Sequence, residues 1–213
     1  MDPEMNNAAD LLRPHRIVPV VVAESVEEGI GIASALAAGG LPVAEVTFRT
    51  PAAAAVMAAL VERDDLIVGA GTVTTPDQVD LAADIGVRFL VSPGLSTSVA
   101  ERARGRGIPL VPGAATATEV QSAREHGFST LKFFPAETSG GLAAVRALSA
   151  PFGDVTFIPT GGIGEDTFGD YLAEPCIAAV GGSWMLPRAA VAERDWDRIT
   201  RLTAKTVARA ATP

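Results

Sequence analysis

Eight short, mostly apolar runs recur along the chain, and their regular spacing constrains the fold more than any other feature. The runs begin near Ile17, Val43, Leu66, Arg88, Pro109, Thr130, Val155 and Ile177. Successive runs start 21 to 26 residues apart. That interval leaves room for a strand of about five to seven residues, a turn and a helix of about ten to fifteen. The spacing therefore predicts eight consecutive βα units.

Eight such units in 213 residues predict an α/β fold, and specifically a closed (β/α)8 barrel, the TIM barrel, near its minimum size. The run at residues 17–23 is apolar throughout, as expected for a parallel strand covered on both faces. A doubly wound open sheet is the alternative, but it normally has fewer units and a glycine-rich first turn, where this chain has Ala23-Glu24-Ser25.

No break in composition divides the chain, so we expect residues 1–213 to form a single domain. Residues 1–16 precede the first strand as an N-terminal extension. Within it, residues 5–12 are expected to form a short helix that caps the bottom of the barrel. At the other end of the chain, Asp195 is the expected N-cap of a last helix over residues 196–210.

Composition and charge exclude several classes of function. Hydrophobic residues make up 48% of the chain and charged residues 20%, which excludes a disordered protein. The net charge of −8 argues against binding to nucleic acid or to an anionic membrane surface. No apolar stretch reaches the roughly 20 residues that span a bilayer.

The first residues and the single cysteine, Cys176, bear on location and cofactors. The N-terminus lacks the basic flank and apolar block of a signal peptide, and one cysteine allows no internal disulfide. We therefore expect a cytoplasmic protein. One cysteine and two histidines also leave few ligands for a zinc site, and we expect neither a metal nor a cofactor.

Four consecutive strands are expected to end in proline, at Pro93, Pro112, Pro135 and Pro159. Proline has no N–H and is poorly placed inside a central strand, so it indicates where strand pairing stops. These prolines either only terminate the strands, or they also mark the carboxyl-end rim at which barrel enzymes place their active sites.

Lys132, one of two lysines in the chain, lies in a strand that is apolar on both sides. Burial of an ammonium group is costly unless the group is paired or neutral, so such a lysine needs a reason. It either forms a structural ion pair at the barrel mouth or supplies a neutral amine that attacks a carbonyl to form a Schiff base. The strand position alone leaves both open.

The second strand carries three polar side chains on one face, because Glu45, Thr47 and Arg49 alternate with apolar residues. We expect them to line the barrel interior, with Arg49 at the rim. Inward side chains from alternate strands of a barrel share layers, so Glu45 and Lys132 are expected to meet across its centre. An amine, a carboxylate and an arginine are the groups that a carbonyl-lyase needs, and a purely structural network is the alternative.

Glycine pairs end the last two strands, at Gly161-Gly162 and Gly181-Gly182, and Ser183 follows the second pair. Barrel phosphate sites are built from the loops after strands seven and eight, where bare backbone N–H groups face the anion. Tight turns also favour glycine, so either one of these pairs alone is weak evidence. Two pairs at these two positions predict a phosphate site.

The remaining polar candidates are weaker. His15 precedes the first strand, at the opposite end of the barrel from the rim, and His126 is expected to be a surface residue at a helix end. Cys176 is expected to be a small core residue. Phe134 shares the face of Lys132 and either walls the pocket of the amine or fills the barrel.

Six motifs in this order resemble the bacterial 2-keto-3-deoxy-6-phosphogluconate (KDPG) aldolases, also called 4-hydroxy-2-oxoglutarate (KHG) aldolases, which are class I enzymes. The resemblance covers about residues 15 to 205. The motifs are Glu45-Val46-Thr47-Phe48-Arg49-Thr50, Gly69-Ala70-Gly71-Thr72-Val73, Val91-Ser92-Pro93-Gly94, Lys132-Phe133-Phe134-Pro135-Ala136-Glu137, Pro159-Thr160-Gly161-Gly162-Ile163 and Gly181-Gly182-Ser183-Trp184. Phe48 stands where a leucine is more usual in the family.

The resemblance implies a (β/α)8 homotrimer that cleaves KDPG to pyruvate and glyceraldehyde 3-phosphate in the Entner–Doudoroff pathway. It implies that Lys132 forms the Schiff base and that Glu45 is the general acid/base. Arg49 and Thr72 match positions that hold the pyruvate carboxylate. The other matched positions line the site (Pro93 and Phe134), influence stereochemistry at the aldehyde end (Thr160) or bind the phosphate (Gly161, Gly162, Gly182 and Ser183).

Several alternatives stay open at this point. The unphosphorylated substrate KHG and the C4 epimer of KDPG share the pyruvate half of the substrate. Another phosphate-binding barrel enzyme could use Lys132 only as a charge. A non-catalytic ligand-binding or assembly barrel would retain Glu45 and Lys132 as a structural pair.

Overall fold

The computed structural model describes residues 8–211, in which eight β-strands alternate with α-helices. The strands are β1 Ile17–Val21, β2 Val43–Thr47, β3 Ile67–Gly71, β4 Phe89–Val91, β5 Leu110–Val111, β6 Thr130–Phe133, β7 Thr156–Pro159 and β8 Val180–Gly182. The helices are α1 Ala8–Leu12, α2 Val26–Ala38, α3 Ala53–Val61, α4 Pro76–Ile85, α5 Thr97–Gly105, α6 Ala117–Glu125, α7 Gly141–Ser149, α8 Phe168–Leu172, α9 Arg188–Ala192 and α10 Trp196–Ala210. The predicted alternation of strands and helices is confirmed.

All strand pairings are parallel, and they follow the order of the strands in the sequence. Six strands form one sheet in the order β5-β4-β3-β2-β1-β8, and β6 pairs with β7 in a second sheet. The first and last strands are therefore neighbours, with Ile17 opposite Val180. Isolated bridges join the two sheets on both sides, from Gly113 to Lys132 and from Thr160 to Gly181. The prediction of an α/β fold with parallel strands is confirmed.

The strands separate two apolar clusters, because alternate side chains point to opposite faces. The larger cluster lies between strands and helices and includes Ile17 and Val21 of β1. Val18, between them, belongs to the second cluster, where it packs with Phe89 of β4 and Ile158 of β7. A Cβ atom at position 69 would overlap with the ring of Phe89, so the second cluster requires a glycine in β3.

Helix α1 packs against this second cluster through Ala8 and the fully buried Leu12. The sequence predicted a helix over residues 5–12, and the structure has one over Ala8–Leu12. Residues 5–7 of the predicted helix lie outside the described part of the chain.

Side-chain caps define the start of several helices. Ser25 accepts a hydrogen bond from the Glu28 N–H at the start of α2, and Thr75 forms a capping box with Gln78 at the start of α4. The predicted cap of the last helix is confirmed, since Asp195 accepts a hydrogen bond of 3.0 Å from the backbone N–H of Arg198. Within residues 8–211, no helix has the length and apolar character needed to cross a membrane.

Candidate active site

The ammonium group of Lys132 and the carboxylate of Glu45 meet at the centre of the candidate site. Lys132 lies on β6 and Glu45 on β2, which are not neighbours in either sheet. Their side chains are nonetheless 3.3 Å apart, from Nζ to Oε1. Lys132 is only 6% exposed and Glu45 only 2%. The contact predicted from side-chain alternation is therefore present, and it is buried.

Gly71 creates the space that Glu45 occupies. It lies opposite Thr47 at the end of β3. A Cβ atom at position 71 would overlap with Oε1 of Glu45 and lie 2.7 Å from its Cγ. The motif Gly69-Ala70-Gly71 thus has two separate packing functions, since its first glycine admits a core ring and its second admits the carboxylate.

Thr47 shares a strand face with Glu45 but has a different role. Its hydroxyl is buried and donates a hydrogen bond of 3.1 Å to the carbonyl of Val21 on β1. The buried hydroxyl thus has its hydrogen-bond partner on the backbone of the neighbouring strand, and the bond holds β2 beside β1. Of the three polar residues on this face, Glu45 is the one that forms a hydrogen bond and ion pair with Lys132 within residues 8–211.

Phe134 forms one wall beside the amine. The Nζ atom of Lys132 lies 5.2 Å from the centre of the Phe134 ring, which is partly exposed at 37%. The cation interacts favourably with the face of the ring at this distance. The ring also lies beside Gly161, where an added Cβ would be 3.3 Å from it.

Arg49 and Thr72 lie at the carboxyl ends of β2 and β3. Arg49 is exposed, and its guanidinium group makes no hydrogen bond or ion pair with any residue in the range 8–211. Thr72 has a φ of +58°, a conformation that is unusual for a β-branched residue. Such strained residues cluster at binding and catalytic sites, where the surrounding structure holds them in place.

Pro93 and Thr160 complete the set of residues expected around the substrate. Pro93 is exposed after β4, and its carbonyl approaches Gly113 so closely that a Cβ there would overlap with it. Thr160 follows β7 and is 6% exposed. A Cβ at Gly181 would overlap with the Thr160 hydroxyl, so the first glycine of the last pair accommodates this threonine.

The first glycine pair has the backbone conformation of a glycine-specific loop. Gly161 and Gly162 have φ angles of +101° and +83°, which only glycine adopts without strain. A Cβ at Gly162 would also lie 2.7 Å from the Cβ of Glu137. At the second pair, a Cβ at Gly182 would overlap with the Trp184 ring. Packing against a neighbouring side chain therefore requires glycine at positions 162 and 182, in addition to the predicted binding of an anion there.

Two contacts hold these loops, and the sequence did not predict either. Tyr171 of α8 donates a hydrogen bond of 2.6 Å to Glu137, whose backbone N–H bonds to the carbonyl of Gly161. Burial, together with the hydrogen bond and the charge of Glu137, raises the pKa of Tyr171, so its hydroxyl remains a donor. Glu137 belongs to the motif that contains Lys132, so the sequence indicates that it lies near the site. Nothing in the sequence indicates that Tyr171 is its partner.

The second contact is a ring stack between Phe168 and Trp184. The ring centres are 5.0 Å apart and the rings are nearly parallel. The indole N–H of Trp184 donates to the hydroxyl of Thr206 on α10 at 3.0 Å. Trp184 directly follows Ser183, so this stack ties the loop after β8 to the segment after β7.

The weaker candidates lie elsewhere. His15 is half-buried before β1, where burial lowers its pKa, and His126 faces the carbonyl of Ser122 at the end of α6. Cys176 is half-buried before β8 and packs against the larger apolar cluster. None of the three contacts Lys132 or Glu45.

The chain is similar in sequence to proteins of one known family. A family model described as KDPG and KHG aldolase matches residues 8–202. A 2-dehydro-3-deoxy-phosphogluconate aldolase of Treponema pallidum is 45% identical over 193 residues, which are 90% of this chain and 92% of that protein.

Two solved structures are similar over nearly their whole length. The KDPG aldolase of Legionella pneumophila, with pyruvate captured as a covalent carbinolamine, has a TM-score of 0.89 at 38% identity, covering 92% of this chain and 96% of that one. The 2-keto-3-deoxy-6-phosphogluconate aldolase of Zymomonas mobilis with 3-phosphoglycerate has a TM-score of 0.90 at 38% identity, covering 95% of this chain and 96% of that one.

Proposed function

The chain belongs to the KDPG and KHG aldolase family, a family of carbon–carbon lyases, and from this premise we propose that it cleaves KDPG to pyruvate and glyceraldehyde 3-phosphate through a Schiff base on Lys132. The observation that carries the proposal is the buried contact of 3.3 Å between Lys132 and Glu45. It provides a nucleophile and a proton carrier in one water-poor site.

The reaction begins when Nζ of Lys132, as the neutral amine, attacks the C2 carbonyl carbon of the substrate. The carbinolamine loses water and becomes an iminium ion. Glu45, directly or through a water molecule, removes the proton of the C4 hydroxyl, and the C3–C4 bond breaks as its electrons move into the iminium. The aldehyde leaves, the enamine is protonated at C3, and water then releases pyruvate and the free amine. Atoms and charges balance without a metal or a cofactor.

Arg49 and Thr72 are proposed to bind the carboxylate of the pyruvate half. The guanidinium group of Arg49, which has no partner among residues 8–211, is available for two parallel hydrogen bonds to a carboxylate, and the Thr72 hydroxyl adds a further donor. Pro93 and Phe134 line the site, and Thr160 influences the stereochemistry at the aldehyde end. The covalent carbinolamine of pyruvate in the relative from Legionella pneumophila supports the binding of a pyruvate half in this family.

The phosphate is proposed to bind at Gly161, Gly162, Gly182 and Ser183. Their backbone N–H groups and the Ser183 hydroxyl would hold the anion at the carboxyl ends of β7 and β8. The phosphorylated ligand of the Zymomonas mobilis relative supports a phosphate site in this family. KHG shares the pyruvate half but lacks the phosphate, and we propose it as a second, poorer substrate.

The proposal also covers the closure of the barrel, the oligomeric state and the cellular location. The sequential strand order and the bridges on both sides support a closed (β/α)8 barrel that forms one domain, with α1 capping its amino end. We also propose a homotrimer that acts in the cytoplasm, in the Entner–Doudoroff pathway. The single cysteine supports the cytoplasmic location, because a reducing compartment does not need disulfides.

Borohydride reduction in the presence of pyruvate tests the Schiff base directly. We expect one three-carbon adduct on the peptide that contains Lys132, located by mass spectrometry. Lys132→Arg should be folded, inactive and unlabelled, because a guanidinium keeps the charge but is not a free nucleophile. Lys205→Arg is the matched control, since Lys205 is the only other lysine and pairs with Glu165 at the surface. Labelling of Lys205 with Lys132 untouched would refute the assignment.

A further inference from the structure

A cavity of about 600 Å³ lies at the carboxyl ends of the strands, between the segments that follow β1, β2 and β8. Its lining includes Arg49 and Ser183, which the proposed function assigns to opposite ends of the substrate. It also includes Arg188, the first residue of α9, which none of the family motifs contains. The cavity thus extends from two residues of the candidate site, Arg49 and Ser183, to a second arginine.

Two arginines, Arg49 and Arg188, line the cavity. Neither makes a hydrogen bond or an ion pair with any residue of the described range 8–211. By contrast, the exposed Arg194, which follows the end of α9, forms a bidentate pair with Glu27. Within the described part of the chain, Arg188 is therefore a cation without a protein partner, and the cavity that it lines contains a second one.

The cavity also contains two carboxylates, and their arrangement leaves Arg188 unpaired. Glu28 accepts the backbone N–H of Glu24 at 3.2 Å and lies in the first turn of α2, where a negative charge is favoured by the helix dipole. Glu24 is exposed and forms no ion pair with Arg188. Glu24 should instead weaken the binding of any anion that enters the cavity.

Two arginines in one cavity match a ligand with an anionic group at each end. KDPG has a carboxylate at C1 and a phosphate at C6, and KHG has a carboxylate at both ends. With Arg49 assigned to the carboxylate of the pyruvate half, the second cation faces the distal group. Apolar neighbours such as Val22 and Leu186 lower the local dielectric and strengthen such a contact.

We infer that Arg188 is a specificity-determining residue that binds the distal anionic group of the substrate, the phosphate in KDPG. This inference rests on the proposed function. It adds a cation to a phosphate site that is otherwise made of backbone N–H groups and one hydroxyl. A planar guanidinium suits this role, because it forms two parallel hydrogen bonds to phosphate oxygens.

The test compares steady-state kinetics of Arg188→Gln, Arg188→Lys and Glu24→Gln with the wild type. Arg188→Gln should raise KM for KDPG about tenfold, equivalent to roughly 1.4 kcal/mol, with kcat changed less than twofold. Arg188→Lys should recover part of the loss. Glu24→Gln should lower KM for KDPG, since it removes a repulsive charge. The inhibition constant of inorganic phosphate should change in the same directions.

Arg201→Gln is the matched control, because Arg201 is exposed on α10, has no described partner and does not line the cavity. It loses the same charge and should leave KM unchanged. A larger rise of KM for KDPG than for KHG assigns the contact to the phosphate. Equal rises, with pyruvate trapping unchanged, assign it to the distal anion of either substrate. Both results support the inference.

The inference and the proposed function fail in distinguishable ways. An unchanged KM in Arg188→Gln, or an equal rise in Arg201→Gln, overturns the role of Arg188 while pyruvate trapping at Lys132 still supports the aldolase. A wild-type protein that traps no pyruvate and cleaves neither substrate overturns both.

Discussion

Gly71→Ala tests the position of Glu45 without changing any reacting group. An added Cβ would overlap with Oε1 of Glu45 and lie 2.7 Å from Cγ and 2.9 Å from Cδ. Ordinary contact begins at 3.4 Å, so Cγ must move away by about 0.7 Å and the carboxylate oxygen by more. The backbone of Gly71 does not have a positive φ, so alanine fits its conformation. The substitution therefore acts through the carboxylate.

The size of the effect follows from this displacement. Oε1 lies 3.3 Å from Nζ of Lys132, and a shift of about 1 Å misplaces the proton carrier relative to the substrate. A misplacement of that size costs about 10²-fold in rate, equivalent to roughly 2.7 kcal/mol of transition-state stabilisation. The extra methyl group should cost about 1–3 kcal/mol of stability, which leaves the protein folded. Lys132 is not displaced, so the Schiff base should still form.

The assay separates proton transfer from imine formation. Exchange of the pyruvate methyl protons with deuterated water, followed by NMR, should slow about 10²-fold in Gly71→Ala. Borohydride trapping of pyruvate should remain. Gly105→Ala is the control, because a Cβ added at Gly105 meets nothing within 4 Å, and it should exchange at the wild-type rate. Wild-type exchange in a folded Gly71→Ala variant would refute the argument that Glu45 is held in place to move protons.

Three further predictions concern the same site. Glu45→Gln keeps the shape of the side chain but removes the base, so turnover of KDPG should fall by roughly 10²–10⁴-fold while pyruvate trapping persists, and near-normal methyl-proton exchange would assign the base elsewhere. Exhaustive chelation should leave activity unchanged, because the iminium is the electron sink; a loss that only a divalent cation restores would contradict this. Tyr171→Phe removes the hydrogen bond to Glu137 and should raise KM for KDPG several-fold with little effect on KHG, whereas equal effects on both substrates would mean that the contact only stabilises the fold.

The contact between Lys132 and Glu45 could be predicted because it depends on regular structure. Side chains alternate along a strand, and the eightfold spacing places β2 and β6 on opposite sides of the predicted barrel. A polar residue in an otherwise apolar strand is then constrained to one of two faces. The bounds of the last helix and its Asp195 cap follow from equally local rules, and they agree with the structure.

The supporting contacts could not be predicted, because they depend on irregular segments. Glu137 and Tyr171 are 34 residues apart and meet only because α8 packs against the irregular segment that follows β6. The sequence predicts a tight turn or an anion site at Gly182, but it does not predict that the Trp184 ring lies against this glycine. The local sequence does not predict the path of the chain through such a turn. The cavity at Arg188 depends on the same turn.

The structure separates the groups that stabilise the fold from the groups that react. Phe89 and Ile158 fill the interior with apolar contacts, and such burial contributes roughly 1.5–3 kcal/mol per large side chain. The buried pair of Lys132 and Glu45 is different, because the desolvation of two charges offsets most of their attraction, and apolar residues of similar volume often serve stability as well or better. Stability therefore gives no reason for a lysine in this strand. A glycine that leaves room for the carboxylate adds a second cost, since glycine weakens a strand. Chemistry is the reason that accounts for all three residues together: an amine that must be reachable, a carboxylate that must be within one proton transfer of it, and a glycine that admits that carboxylate.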